Sequence, residues 1–226
     1  MSQLQQSVRI RAAGAMLDAD LVVPDGAAGL VVFAHGSGSG RHSPRNHVVA
    51  RKLNDAGLAT ALADLLTADE EQADAATGQY RFDIGKLAVR VIAVTDWLLG
   101  HDTTAGLGVG LFGASTGAAA ALIAAAARPF TVEAVVSRGG RPDLAGEFLR
   151  LVYQPTQLIV GGRDATVLEL NRAAAALLPG QTRLEVVPGA THLFEESGTL
   201  EQVAGLARDW FVRYLKPLLR RENTDG

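Results

Sequence analysis

The 226-residue sequence contains no cysteine. Thiolate zinc sites, iron–sulfur clusters, cysteine nucleophiles and a disulfide scaffold are therefore excluded. Aromatic residues make up only 5% of the chain, so no basic surface interleaved with aromatic platforms is expected. A basic surplus is lacking as well: 21 Lys and Arg stand against 24 Asp and Glu, for a net charge of -3. That balance argues against a nucleic-acid partner. The small group Arg41, Arg45, Arg51 and Lys52 is expected to form a solvated helix face. The longest apolar run, Ala118 to Ala127, is too short and too rich in alanine to span a bilayer. The polar opening, Met1 to Ser7, has no apolar targeting core. A cytoplasmic protein without a membrane partner is the expectation.

What remains is a globular composition, 48% hydrophobic and 20% charged, enough for a single domain over residues 1–226 whose core needs no covalent or metal staple. Apolar β-type runs alternate with helical patterns, as in parallel strands joined by crossover helices, so the fold class is α/β. Val8 to Arg11 and Leu17 to Val23 alternate apolar and polar around Gly14, which predicts an antiparallel hairpin at a sheet edge. Parallel strands are predicted at Leu30 to Ala34, Ala59 to Leu62, Leu107 to Phe112, Val132 to Val136, Gln157 to Val160 and Leu184 to Val187. Helices are predicted after Ser43-Pro44 up to Gly57, from Ile84 to Leu99, Thr116 to Arg128, about Asp143 to Leu151, Val167 to Leu178 and Leu200 to Leu218. The polar, acidic segment Leu65 to Tyr80 is expected to be a surface excursion.

The most specific motif is Gly113-Ala114-Ser115-Thr116-Gly117 between a strand and a helix. A nucleophile elbow needs that context: serine on a sharp turn, with glycines where backbone and helix approach closely. A serine hydroxyl is a weak nucleophile and requires a base that is itself oriented by an acid. Of five histidines only His192 follows Ser115, which makes it the candidate base. Asp164, in Gly161-Gly162-Arg163-Asp164 after a strand, is the candidate acid, with Asp143 in reserve. Thr166 and Glu169 predict a capping box for the next helix, leaving Asp164 in the loop. Acyl transfer also needs donors for the oxyanion. The backbone N–H groups of Thr116 and of Ser37, chosen over Gly38 in the glycine-rich segment 36–40, are the candidates. His35 comes too early in chain order for the base and is expected to be structural.

Two rival motifs fail. Gly108 to Gly113 matches G-x-G-x-x-G, but its glycines fall inside the strand, and segment 36–40 has no following Gly-Lys-Ser/Thr. No His-x-His or His-Glu-x-x-His spacing predicts a metal, and no cofactor is implied.

The sequence resembles the α/β-hydrolase superfamily and is similar over nearly its whole length to dienelactone hydrolase-like proteins. The residues that carry this are Phe33 to Gly38, Gly113 to Gly117, Gly161 to Asp164 and Thr191 to Phe194. Arg41 to Asn46 and Ser137 to Pro142 resemble one branch of that family, whose members are sometimes fused to phosphoribosyltransferase domains for which this length leaves no room. The resemblance implies a mostly parallel twisted sheet with helices on both faces. Dienelactone hydrolases carry a cysteine where Ser115 stands and a glutamate where this chain has His35-Gly36. A serine there is similar to ordinary carboxylesterases. The expectation is a serine hydrolase of small carboxylic esters with no cap domain and an open site, in which Arg138 and Arg81 pair with a substrate carboxylate. Its rivals are a ligand-binding protein of the same fold without turnover, and acyl transfer or perhydrolysis on the same triad. The oligomeric state is not encoded legibly.

Overall fold

The computed structural model describes residues 2–215. Its strands are β1 Gln3–Ala12, β2 Ala15–Pro24, β3 Gly29–Ala34, β4 Ala59–Ala63, β5 Gly108–Ala114, β6 Val132–Arg138, β7 Thr156–Gly161 and β8 Thr182–Val187. The helices are α1 Pro44–Asp55, α2 Ala68–Thr77, α3 Ile84–Leu99, α4 Thr116–Ala127, α5 Ala165–Ala175 and α6 Thr199–Tyr214, with a 3₁₀ segment Pro142–Leu151. One eight-stranded sheet runs in the order β1-β2-β4-β3-β5-β6-β7-β8. β1 with β2 and β2 with β4 are antiparallel, and the other pairs are parallel. The hairpin turns at Ala13 and Gly14, both at positive φ, the backbone that a two-residue turn between twisted strands requires.

β3 and β5 are buried at every position, as central strands covered on both faces must be. On one face α1 and α6 bring Val49, Leu53 and Phe211 against Phe33 and Phe112. On the other, α3 and α4 close a larger cluster around Leu30, Val32 and Leu111. Seven consecutive residues of α4, Thr116 to Leu122, are buried. A helix so enclosed is apolar all round, and its alanines keep it thin enough to fit. The strand glycines have packing reasons too: a Cβ at Gly110 would lie 2.5 Å from the Phe211 ring. The parallel strands all end at one sheet edge, where an open α/β sheet places its ligands. Between β6 and β7 only the 10-residue 3₁₀ segment intervenes, so no cap domain covers that edge. Among the described residues no helix is long and apolar enough to cross a membrane.

Four expectations need correction. The excursion 65–80 contains α2, capped by the reciprocal Thr67–Glu70 box, and Leu65 and Leu66 are buried. The Thr166–Glu169 capping box is absent: α5 begins at Ala165, Asp164 is its N-cap residue, and Glu169 pairs with Arg172. The segment expected as a helix from Asp143 is 3₁₀ and broken at Gly146, whose φ is 54°. The last helix stops at Tyr214, and the expected continuation to Leu218 lies outside the described residues.

Candidate active site

Ser115 joins β5 to α4 with φ 51° and ψ -122°. A side chain held there carries strain of order 1–3 kcal/mol, which persists only when the surroundings over-determine it. Here they do: the Ser115 N–H donates to the Arg138 carbonyl at 3.2 Å, and the Ser115 carbonyl accepts from Arg141 N at 3.0 Å and Ala118 N at 3.1 Å. The flanking glycines are sterically required. A Cβ at Gly113 would sit 2.4 Å from Ala118 Cα, and one at Gly117 would sit 2.2 Å from the Ala34 carbonyl oxygen.

His192 and Asp164 come from loops that follow β8 and β7. The ring Nδ1 lies 2.7 Å from Asp164 Oδ2. Since a carboxylate accepts, Nδ1 carries the hydrogen and Nε2 is left as the basic nitrogen. Asp164 caps nothing on its own helix. Thr191 N donates to Glu196 Oε2 at 3.0 Å, tying the histidine loop to the turn before α6. That N–H holds the Glu196 carboxyl below its ordinary range. Ser115 and His192 both line a cleft of about 190 Å³ with Ser37, Arg45, Arg138 and Leu193. Among the described residues no hydrogen bond joins Ser115 Oγ to the ring, and such bonds often tighten only when substrate is bound.

The loop after β3 backs directly onto the elbow, because a Cβ at Gly36 would lie 3.0 Å from both Ala114 O and Ser115 Cβ. Ser37 Oγ is 3.1 Å from Thr116 Oγ1, so the two expected oxyanion donors are neighbours. Neither of their N–H groups is used in a turn or cap hydrogen bond. His35 anchors this loop: its Nε2 accepts from Leu65 N at 2.8 Å, and its Nδ1 lies 3.0 Å from the Gly36 carbonyl, which accepts from it. Burial pushes the His35 pKa down, keeping the ring neutral.

The arginines divide differently from expectation. Arg81 donates from Nε to Asp74 Oδ2 at 2.7 Å and lines a separate cavity of about 380 Å³ on the other side of the Gly36–Gly40 loop. Arg41 is no solvated helix residue but pairs with Asp64 and, at 3.5 Å, with Asp20. Arg45, expected on the same solvated face, instead lines the cleft with Ser115. Arg138 is in the cleft as expected. The reserve acid Asp143 is held by Arg141 at 2.7 and 2.8 Å. Sequence reasoning missed Arg45 and Glu196. Nothing in the local pattern distinguishes either from a surface charge.

No protein-family model matches the chain. It is 54% identical to the crystal structure of dienelactone hydrolase from Anabaena variabilis, covering 95% of this chain and 99% of that one with a TM-score of 0.93. The chain belongs to the dienelactone hydrolase family. Relatives from two strains of Mycobacterium tuberculosis are 59% identical over 210 residues, which is 93% of this chain and 46% of theirs, and carry the description "Putative phosphoribosyl transferase". The chain thus spans less than half the length of those curated relatives. More distant members of the fold are Est1E from Butyrivibrio proteoclasticus (18% identity, TM-score 0.76, covering 92% of this chain and 98% of that one) and an α/β serine hydrolase without a lid from Xanthomonas campestris (19%, 0.71, 92% and 94%). At such identities the likeness is one of fold. Within the dienelactone hydrolase family, then, this member presents serine at its elbow, with a histidine–aspartate pair on the same edge of the sheet.

Proposed function

We propose that the chain is a serine hydrolase that cleaves small carboxylic esters through an acyl-enzyme. The observation that carries this is the strained Ser115 sharing one cleft with His192, whose Nδ1 is engaged by Asp164 at 2.7 Å. Ser115 Oγ attacks the ester carbonyl while His192 Nε2 takes its proton, then returns it to the leaving alcohol oxygen. Asp164 holds the ring in the productive tautomer and stabilises the imidazolium. The N–H groups of Ser37 and Thr116 receive the oxyanion. Water, deprotonated by the same imidazole, attacks the acyl-enzyme and releases the acid. Arg138 faces the bound substrate, whereas Arg81, already paired with Asp74, shapes the neighbouring cavity. With no cap domain above the edge and only about 190 Å³ beside Ser115, short acyl groups are favoured.

The test is labelling with a fluorophosphonate, located by peptide mass spectrometry, beside 4-nitrophenyl esters from acetate to laurate. Labelling at Ser115 with turnover that falls as the chain lengthens is expected. A folded protein that neither labels at Ser115 nor turns over any ester overturns the reading.

A further inference from the structure

Arg138 is 7% exposed, and its buried Nε has no hydrogen-bond partner. Arg45, from the first turn of α1, also has a buried Nε without a partner. Three other arginines near this edge are paired, Arg41 with Asp64, Arg81 with Asp74 and Arg141 with Asp143, and Arg163, beside Asp164, is exposed to solvent. Among the described residues no carboxylate pairs with Arg45 or Arg138, and none lines their cleft. Burial and the neighbouring Arg45 charge pull the Arg138 guanidinium down to about 10, which still leaves it cationic at neutral pH. A buried cation with no counter-charge costs several kcal/mol, so the fold gains nothing from keeping Arg138 beside the half-buried Arg45. Such a cost is tolerated where a ligand removes it.

We propose that Arg45 and Arg138 form a receptor for a dianionic group of the phosphate monoester or phosphonate kind carried by the ester that Ser115 cleaves. The choice of a dianion follows from charge. The cleft walls hold the guanidinium groups of Arg45 and Arg138, the His192 ring and the side chains of Ser37, Ser39 and Ser115. A carboxylate would neutralise one guanidinium and leave the other without a counter-charge, whereas a phosphate monoester at slightly alkaline pH carries close to two negative charges and three acceptor oxygens. Guanidinium forks match such oxygens in pairs, and the Ser39 hydroxyl adds a donor. The anionic group is a spectator of the chemistry. The ester C–O bond breaks, water supplies the hydroxyl of the acid and the proton of the alcohol, and the phosphorus–oxygen bonds stay intact. This inference rests on Ser115 being the nucleophile, since only that makes the anion part of a substrate.

The test reads binding without turnover, so it stands apart from the esterase assay. Calorimetry on the native protein at pH 8 and constant ionic strength compares phenyl phosphate, benzoate and benzyl alcohol. Phenyl phosphate is expected to bind at least about tenfold more tightly than benzoate, and benzyl alcohol more weakly than both. In Arg45→Gln and Arg138→Met the preference should fall toward unity. Because Arg138→Met removes an uncompensated buried charge, its melting temperature without ligand should rise by a few degrees; a purely structural arginine would show a fall. Benzoate binding as tightly as phenyl phosphate, or a preference that survives both substitutions, overturns the proposal. Competition by phenyl phosphate against hydrolysis of 4-nitrophenyl acetate then shows whether the anion and the ester share the cleft. Non-competitive behaviour would overturn the placement of the anion on the substrate.

Discussion

Asp164 stands at the N-cap of α5 yet gives its carboxylate to His192 Nδ1, at 2.7 Å, rather than to its own helix. An N-cap aspartate ordinarily accepts from the first-turn N–H groups and stabilises its helix by about 1 kcal/mol. Here that contribution is forgone in favour of orienting a ring, which in the proposed mechanism separates catalysis from stability at this position.

Asp164→Asn should therefore leave folding nearly intact while reducing kcat on a short ester by roughly 10³–10⁴, because the amide favours the wrong tautomer of His192. Steady-state kinetics beside a thermal melt check both halves. A kcat within tenfold of the native protein would remove Asp164 from the triad.

Ser115 should be stabilised by losing its side chain. Ser115→Ala keeps a Cβ at φ 51°, whereas Ser115→Gly relieves the strain, so the glycine variant is expected to exceed the alanine variant by about 1 kcal/mol. Both should be inactive. Denaturant midpoints of the two variants, measured side by side, make the comparison, and equal midpoints would show that the turn is not strained.

Gly117→Ala drives a methyl to within 2.2 Å of the Ala34 carbonyl and 2.4 Å of the His35 carbonyl. Backbone on both sides cannot yield cheaply, and a loss of about 3 kcal/mol or more is expected. Gly205→Ala in α6 meets nothing within 4 Å and should instead stabilise the protein by about 0.5–1 kcal/mol, the ordinary helix preference. Opposite signs from the same chemical change, read by urea titration, test the close packing of the elbow directly.

Acid should weaken the packing of α2. Arg90, 4% exposed, holds the Glu70 carboxyl down at about 2 against the opposing effect of burial, with help from Lys86 and the Thr67 N–H. A carboxyl whose folded pKa is depressed stabilises the fold above its ordinary value, 4.5, and loses that contribution as pH falls toward the folded value. Glu70→Gln should cost roughly 2–3 kcal/mol at pH 7, and the gap to the native protein should close steadily between pH 4.5 and 2. A gap independent of pH would mean that the ion pair contributes nothing.

The parts of the architecture that were legible are those with local causes. The buried strands announce themselves as apolar runs, and the elbow by glycines that no other residue can replace. Given the order serine, acid, histidine of a nucleophile-elbow fold, the single histidine after Ser115 was the one candidate for the base. What was illegible depends on tertiary neighbours. α2 buries Asp74 alone, so it has no apolar stripe to find, although its Thr67–Glu70 box was present to be read. The Thr166–Glu169 pair matched a pattern but not the chain, because the backbone enters α5 at Ala165. Arg45 lines the cleft through the tertiary placement of α1, which packs on α6 and β4. A charge one helical turn away would have looked the same.

The segment that carries the Arg138 side chain into the cleft also clamps Ser115, through the Arg138 carbonyl on one side and the Arg141 N–H on the other. In the proposed function, charge recognition and bond cleavage are thus not separate modules. Exchanging a side chain at Arg138 alters which ligands are welcome and leaves that clamp in place. Lengthening, shortening or re-routing the stretch from Arg138 to Arg141 would shift the reactive oxygen itself. Redesign of this hydrolase for neutral substrates should therefore proceed by substitution within this stretch, with insertions reserved for the segment between β4 and α3.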